Sequence, residues 1–175
     1  KRVVIGGSHG KTTITAMILH VLKLNGIDAD YMVGAQLEGF DVMVKLTKEA
    51  PFMILEGDEY LTSPIDRRPK FHLYKPDVAL LSGVAWDHIN VFKTFDNYVE
   101  QFSTFIDLIS PEGTLIYCEN DEVLQRIGPL ARKDIRLIPY SYPTFSINEG
   151  ITSVVFSGKA YPLLVFGEHN LMNLE

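Results

Sequence analysis

The chain has 175 residues, 46% hydrophobic and 22% charged, with one cysteine, Cys118, and a formal net charge of −6. That length fits one domain of roughly 100–200 residues, and the balance excludes intrinsic disorder, collagen-like repeats and a coiled coil. A lone cysteine excludes an internal disulfide framework and fits a reducing compartment; no apolar run approaches the roughly 18 residues of a membrane span; the acidic balance opposes non-specific nucleic-acid binding.

Arg2 to Ile5 reads as a strand that runs into Gly6-Gly7-Ser8-His9-Gly10. Thr12 to Leu24 predicts a helix, because Ile14, Met17, Ile18, Val21 and Leu22 recur at 3/4 spacing and Asn25-Gly26 ends it. Phe52–Leu55 and Val78–Leu81 are continuous apolar runs, the pattern of strands buried on both faces. Residues 95–109 predict a helix with Phe95, Tyr98, Phe102, Phe105, Ile106 and Ile109 on one side, closed by Pro111-Glu112-Gly113. Thr114–Cys118 returns to strand. Asp121–Arg132 reads as a helix that Gly128-Pro129 shortens, and Arg136–Ile138 as a short strand. Ile151–Phe156 and Ala160–Phe166 flank Ser157-Gly158-Lys159 and predict a hairpin. His20 falls in the first helix and His72 reads as a strand or loop residue. Alternating strands and helices predict an α/β fold with a mostly parallel sheet flanked by helices, plus a small antiparallel appendage late in the chain. Residues 1–175 form a single domain in this reading. No methionine or signal peptide opens the chain, and Glu175 follows a polar cluster that opens a helix; both ends are expected to be cut boundaries.

Gly7-Ser8-His9-Gly10-Lys11-Thr12-Thr13 lies between the first strand and the first helix. Glycines let backbone approach a ligand, and amides at a helix N-terminus point at an anion. Lys11 offers a point charge to β/γ phosphates and the Thr12 hydroxyl a ligand to Mg²⁺. The general pattern G-x-x-x-x-G-K-[ST] is incomplete, since Ile5 stands at its first glycine. Glu56-Gly57-Asp58-Glu59 ends the next apolar run, where carboxylates suit Mg²⁺ on the rim of an α/β sheet. Asp87-His88 follows the Val78–Leu81 run on the same rim, where a neutral imidazole completes a metal shell and Asp87 orients it or an adjacent backbone group. Asn170 and Asn173 share a face of the final helix, and two carboxamides can read a purine edge.

In this order, G-S-H-G-K-T-T, E-G-D-E, D-H and G-E-H-N-x-x-N resemble the central ATP-binding domain of the Mur ligases, which build the peptide stem of bacterial cell-wall precursors. The resemblance covers about residues 2–175. It implies ATP and Mg²⁺ as cofactors, ATP contacts from Gly7 through Thr13 and from Asn170 and Asn173, and metal ligation by Thr12, Glu56 and His88. Lys11, Glu56 and His88 are the implied catalytic residues. His9 is similar to the branch that acts on UDP-N-acetylmuramate, with either L-alanine or the tripeptide L-alanyl-γ-D-glutamyl-meso-diaminopimelate as acceptor. Glu59-Tyr60 and Asp66-Arg67-Arg68-Pro69-Lys70-Phe71 are similar to the tripeptide-adding enzymes, which makes Glu59, Arg67, Arg68 and Lys70 candidate substrate-facing residues. An ordinary phosphate-loop NTPase and a nucleotide-binding module remain alternatives to the ligase. The family also implies N-terminal UDP-binding and C-terminal domains as partners, a bacterial cytoplasmic setting, no membrane and no nucleic acid. Leu81-Ser82-Gly83 departs from the family's asparagine before D-H, Asn90 replaces a common aspartate, and the helix after Lys93 lacks the lysine that some members carbamylate.

Overall fold

The computed structural model describes residues 1–165 and 167–175. In chain order the elements are β1 (Arg2–Gly6), α1 (Lys11–Leu24), β2 (Asp30–Met32), β3 (Val44–Lys45), β4 (Met53–Glu56), a 3₁₀ turn (Lys70–Leu73) and β5 (Val78–Leu81). There follow α2 (Phe95–Asp107), β6 (Thr114–Cys118), α3 (Glu122–Ile127), a second 3₁₀ turn (Gly128–Leu130) and β7 (Arg136–Tyr140). The chain finishes with β8 (Phe145–Asn148), β9 (Ile151–Phe156), β10 (Lys159–Pro162) and α4 (Glu168–Leu174).

Seven strands form one sheet in the order β3-β2-β4-β1-β5-β6-β7. All neighbours are parallel except β2 and β3. The central β1 pairs with β4 through Arg2↔Met53 to Ile5↔Glu56 and with β5 through Val3↔Val78 to Gly6↔Leu81. Val4 and Ile5 are fully buried and enter different core clusters, as successive side chains of a two-sided strand must. The Ile5 cluster packs with Ile14 and Leu19 of α1; the Val4 cluster packs with Phe102 and Phe105 of α2. Strand order reverses at β1, so the turn after β1 opens into the crevice where α/β sheets bind ligands.

Local caps explain the helix starts. Thr94 accepts the Asn97 amide at 3.2 Å ahead of α2, and Asp121 accepts the Leu124 amide at 2.8 Å ahead of α3. The second Asp121 oxygen accepts the Val84 amide at 2.9 Å, so one carboxylate both caps a helix and holds the loop after β5. Gly128-Pro129 ends α3 at Ile127, as the break there predicts.

The structure adds what short or alternating patterns hid. β2, β3 and β8 carry no continuous apolar run. β7 runs two residues past Ile138, to Tyr140. β9 and β10 form the expected hairpin, which β8 extends to a three-stranded antiparallel sheet. β10 stops at Pro162, short of the expected Phe166, which itself lies outside the described residues. His72 belongs to neither strand nor loop: it lies in the first 3₁₀ turn, stacked on Phe71 at 4.8 Å, with Nε2 2.8 Å from the Gln101 carbonyl oxygen.

Burial holds His72 below its ordinary pKa, against the opposing pull of the Gln101 carbonyl. The unfolded chain therefore binds a proton first as pH falls below about 6.5, and stability drops until the folded pKa is passed. His72→Gln is expected to lose less stability than the parent between pH 7.5 and pH 5.5 in urea melts. Equal losses would remove His72 from the acid response.

Candidate nucleotide and metal site

The phosphate-loop segment is shaped by two glycines. Gly7 has φ +125° and Gly10 φ +81°, in the left-handed region that other residues enter only under strain. A Cβ at Gly7 meets Ser82 Oγ at 2.3 Å, so the loop packs directly on the chain after β5. Gly10 is the N-cap of α1 without a side-chain cap, and no acidic residue stands in the first turn. The first amides of α1 have no intrahelical carbonyl to bond and carry the positive end of the helix dipole. Such an end suits a phosphate.

The loop's outer side is tied down. The Ser8 amide donates to the Gly83 carbonyl at 2.9 Å, and Ser82 Oγ donates to the His9 carbonyl at 2.6 Å. Ser8 Oγ accepts the Ala85 amide at 2.9 Å and lies 2.7 Å from the Ala85 carbonyl. Ser8, expected to contact ATP, has its amide and its buried hydroxyl bonded to the β5 loop, which fastens one side of the turn.

Lys11 Nζ donates to the Gly7 carbonyl at 2.6 Å and to Glu59 Oε2 at 2.9 Å. Thr12 Oγ1 donates to Glu56 Oε1 at 2.7 Å, and Glu56 Oε2 accepts the Gly34 amide at 2.8 Å. Glu56 joins two openings. One, of about 260 Å³, is lined by residues 8–13 and Glu56. The other, of about 540 Å³, is lined by Lys11, Glu56, Asp58, Lys70, Tyr74 and His88 among others. The parallel register that sets Ile5 beside Glu56 brings the strand-end carboxylate to the phosphate loop.

His88 adopts φ +52°, left-handed for a non-glycine residue, and Asp87 Oδ1 accepts its amide at 2.6 Å. Asp87 thus orients backbone, one of its two expected roles. Tyr60 meets the His88 ring edge-on at 5.1 Å. Ligand atoms of His88, Asp58 and Glu59 lie within 4.8 Å of one another, a group that does not include Glu56. In the sequence Asp58 stands only as one of the three strand-end carboxylates suited to Mg²⁺, with no role of its own. Burial pushes its carboxyl up, but the Lys70 ammonium, the Tyr60 amide and the Lys11 charge outweigh burial and hold it below the usual carboxylate range. Hydroxyl and carboxylate oxygens suit a hard divalent cation, and an imidazole nitrogen is a borderline donor beside them. Thr12 and Glu56 meet directly, His88 clusters instead with Asp58 and Glu59, and Glu56 and His88 both line the larger opening.

The remaining candidates divide. Lys70 lines the larger opening and pairs with Asp58 at 2.6 Å. Arg67 and Arg68 do not line it; Arg68 clasps Asp66 through two bonds, which pull the Asp66 carboxyl down to about 2. Glu59, expected either to face the substrate or to stand behind the residues that do, has a side chain that is 0% exposed and paired with Lys11. Thr13 and His9 are exposed beside the smaller opening. Asn173 folds over the phosphate loop, since a Cβ at Gly10 meets its Oδ1 at 2.4 Å; Asn170 is half-buried one turn earlier on α4.

A mostly parallel sheet with an uncapped helix, a lysine and a Thr–Glu pair at its switch point defines an α/β protein with a phosphate-loop-like turn. The chain belongs to the Mur ligase family: the model of the Mur ligase middle domain matches residues 5–174. The UDP-N-acetylmuramate–L-alanyl-γ-D-glutamyl-meso-2,6-diaminoheptandioate ligase of Haemophilus influenzae is 30% identical over 67% of this chain and 26% of its own length. The UDP-N-acetylmuramate–L-alanine ligase of Parabacteroides distasonis is 31% identical over 74% of this chain and 26% of its own. The crystal structure of UDP-N-acetylmuramate:L-alanyl-γ-D-glutamyl-meso-diaminopimelate ligase from Neisseria meningitides superposes with a TM-score of 0.83 at 26% identity, over 98% of this chain and 58% of that one. The chain spans about a quarter of the length of these curated relatives. Among the described residues no helix is long and apolar enough to cross a membrane.

Proposed function

We propose that this chain binds ATP with Mg²⁺ and is the ATP-handling domain of a cytoplasmic bacterial ligase. That ligase joins UDP-N-acetylmuramate to the tripeptide L-alanyl-γ-D-glutamyl-meso-diaminopimelate. The observation that carries the reading is the uncapped α1 N-terminus with Lys11 and the Thr12–Glu56 pair at the switch point. Bound ATP supplies a phosphoryl group that turns a carboxylate into an acyl phosphate, an electrophile an amine can attack with loss of phosphate. The chain's part is positioning and charge neutralisation, which dominate phosphoryl transfer. Lys11 and the first α1 amides hold the phosphates. Thr12, Glu56 and His88 hold the cation, with Asp58 in reach. Asn170 and Asn173 face the adenine. In the whole protein a UDP-binding domain and a C-terminal domain close on this one and bring both substrates.

L-alanine is the competing acceptor, favoured by the alanine-adding relative at 31% identity. Lys70, on the wall of the larger opening, supports the tripeptide, which carries more negative charge for it to meet. Supplying the full-length enzyme with each acceptor separately decides between them, and turnover only with L-alanine would reverse the choice.

Binding is tested on the chain itself. An ATP analogue with Mg²⁺ at 100 times its Kd is expected to add about 2.7 kcal/mol of stability in thermal melts. Glu56→Gln is expected to raise the Mg²⁺ concentration needed for that gain by about tenfold, because a charge-assisted ligand is lost. An unchanged Mg²⁺ titration would remove Glu56 from the metal site.

A further inference from the structure

Glu59 is a buried carboxylate with no exposed side-chain surface. Its Oε2 accepts from Lys11 Nζ at 2.9 Å and its Oε1 accepts from the Tyr98 hydroxyl at 3.2 Å. His88 Nε2 lies 3.5 Å from the same Oε1. Tyr98, fully buried on α2, also sits 3.0 Å from Ser8 Oγ. Tyr98 has one hydrogen and gives it to the carboxylate; the Ser8 hydrogen then lies between the Ala85 carbonyl and the Tyr98 oxygen. One helix side chain therefore braces the phosphate loop through Ser8 and the loop's lysine through Glu59.

A lysine ammonium carries three N–H donors. Two of those on Lys11 are committed, to the Gly7 carbonyl and to Glu59, which fixes the direction of the third. The Lys11 side chain is 14% exposed and lines both openings at the site. Stability alone is a poor reason for this pair, because apolar replacements of a buried ion pair are often as stable. We propose that Glu59, held by Tyr98, is a positioning residue that aims the third Lys11 donor at the terminal phosphates of a bound nucleoside triphosphate.

This rests on the nucleotide-binding reading and adds a distinct signature. A positioning role concerns the outer phosphates only, so it separates ATP from AMP. Titrations of ATP and AMP into the 175-residue chain and its variants read the ratio of the two affinities. Glu59→Ala is expected to weaken ATP about tenfold or more and AMP less than about threefold, the loss of one directed, charge-assisted bond. Glu59→Gln keeps an oxygen able to accept from Lys11 and is expected to hold the ATP:AMP ratio within about threefold of the parent. Tyr98→Phe frees the carboxylate without changing charge and is expected to lower the ratio between these limits; it also serves if Glu59→Ala does not fold. Tighter ATP binding by both Glu59 variants would show a merely competing charge and overturn the proposal, as would an unchanged ratio in Glu59→Ala and Tyr98→Phe. If the parent chain binds no ATP, the functional reading fails. The positioning is then read from the Lys11 ammonium signal in nitrogen-resolved NMR, expected to be sharp and slowly exchanging in the parent and broadened in Glu59→Ala. An ammonium equally mobile in both overturns it.

Discussion

Lys11→Met is expected to abolish measurable ATP binding and, in the same protein, to destabilise the unliganded fold. The binding loss follows from removing the one side-chain cation at the α1 N-terminal turn, where the phosphates' charge must be met. The stability loss follows from Glu59, which loses its ion-pair partner with no solvent to replace it. Breaking one side of a buried pair costs about 3–5 kcal/mol. The double variant Lys11→Met/Glu59→Gln no longer buries a lone charge and is expected to recover most of that stability while still failing to bind ATP. Urea melts and calorimetric titrations on the three proteins separate the effects. ATP affinity retained in Lys11→Met would refute the site, whatever its stability.

Phe71→Ala is expected to be the most destabilising core substitution beside the site, by about 3–5 kcal/mol. Phe71 is fully buried, stacked on Phe105 at 4.5 Å and edge-on to Phe102 at 5.5 Å. Its amide also donates to the Asp58 carbonyl at 3.0 Å, which closes the segment carrying Asp58 and Lys70 back onto the strand end. A cavity there removes aromatic packing from the α2 face and loosens the wall of the larger opening. Lys70→Met is the contrasting case. Its ion pair with Asp58 is 40% and 38% exposed, and such pairs contribute about 0–1 kcal/mol. A Phe71→Ala loss as small as that of Lys70→Met, measured by urea midpoint, would show that the core closes over the gap.

The strands and helices nearest the site were legible because their signals are local. β5 and β6 match their apolar runs residue for residue, and α1 begins one residue before its expected start. β2 escaped notice because it is three residues long and opens with Asp30, whose buried carboxylate accepts the Thr47 amide and hydroxyl from across the chain turn. A buried acid in a strand looks like a loop until its partner is seen. His72 escaped for a similar reason. Its turn is set by Phe71 seeking the α2 aromatics, a demand that no neighbouring residue announces.

By itself, the sequence determined the mostly parallel α/β class, the position of the glycine-rich turn and the chemical types gathered at its strand ends. Those depend on periodicity, glycine placement and spacing within a dozen residues. Tertiary structure alone decided which side chains of each cluster meet. Ser8, read as a ligand contact, is also tied to the β5 loop and Tyr98; Glu59, read as facing substrate or standing behind it, is the buried partner of Lys11; Tyr98, read only as core, bonds to both. Their partners lie 90, 48 and 39 positions apart, so the hydrogen bonds that assign these roles exist only once the sheet has set β1, β4 and α2 side by side. A polar side chain's role is fixed by the donor or acceptor it meets when water is excluded, and folding, not local pattern, chooses that neighbour.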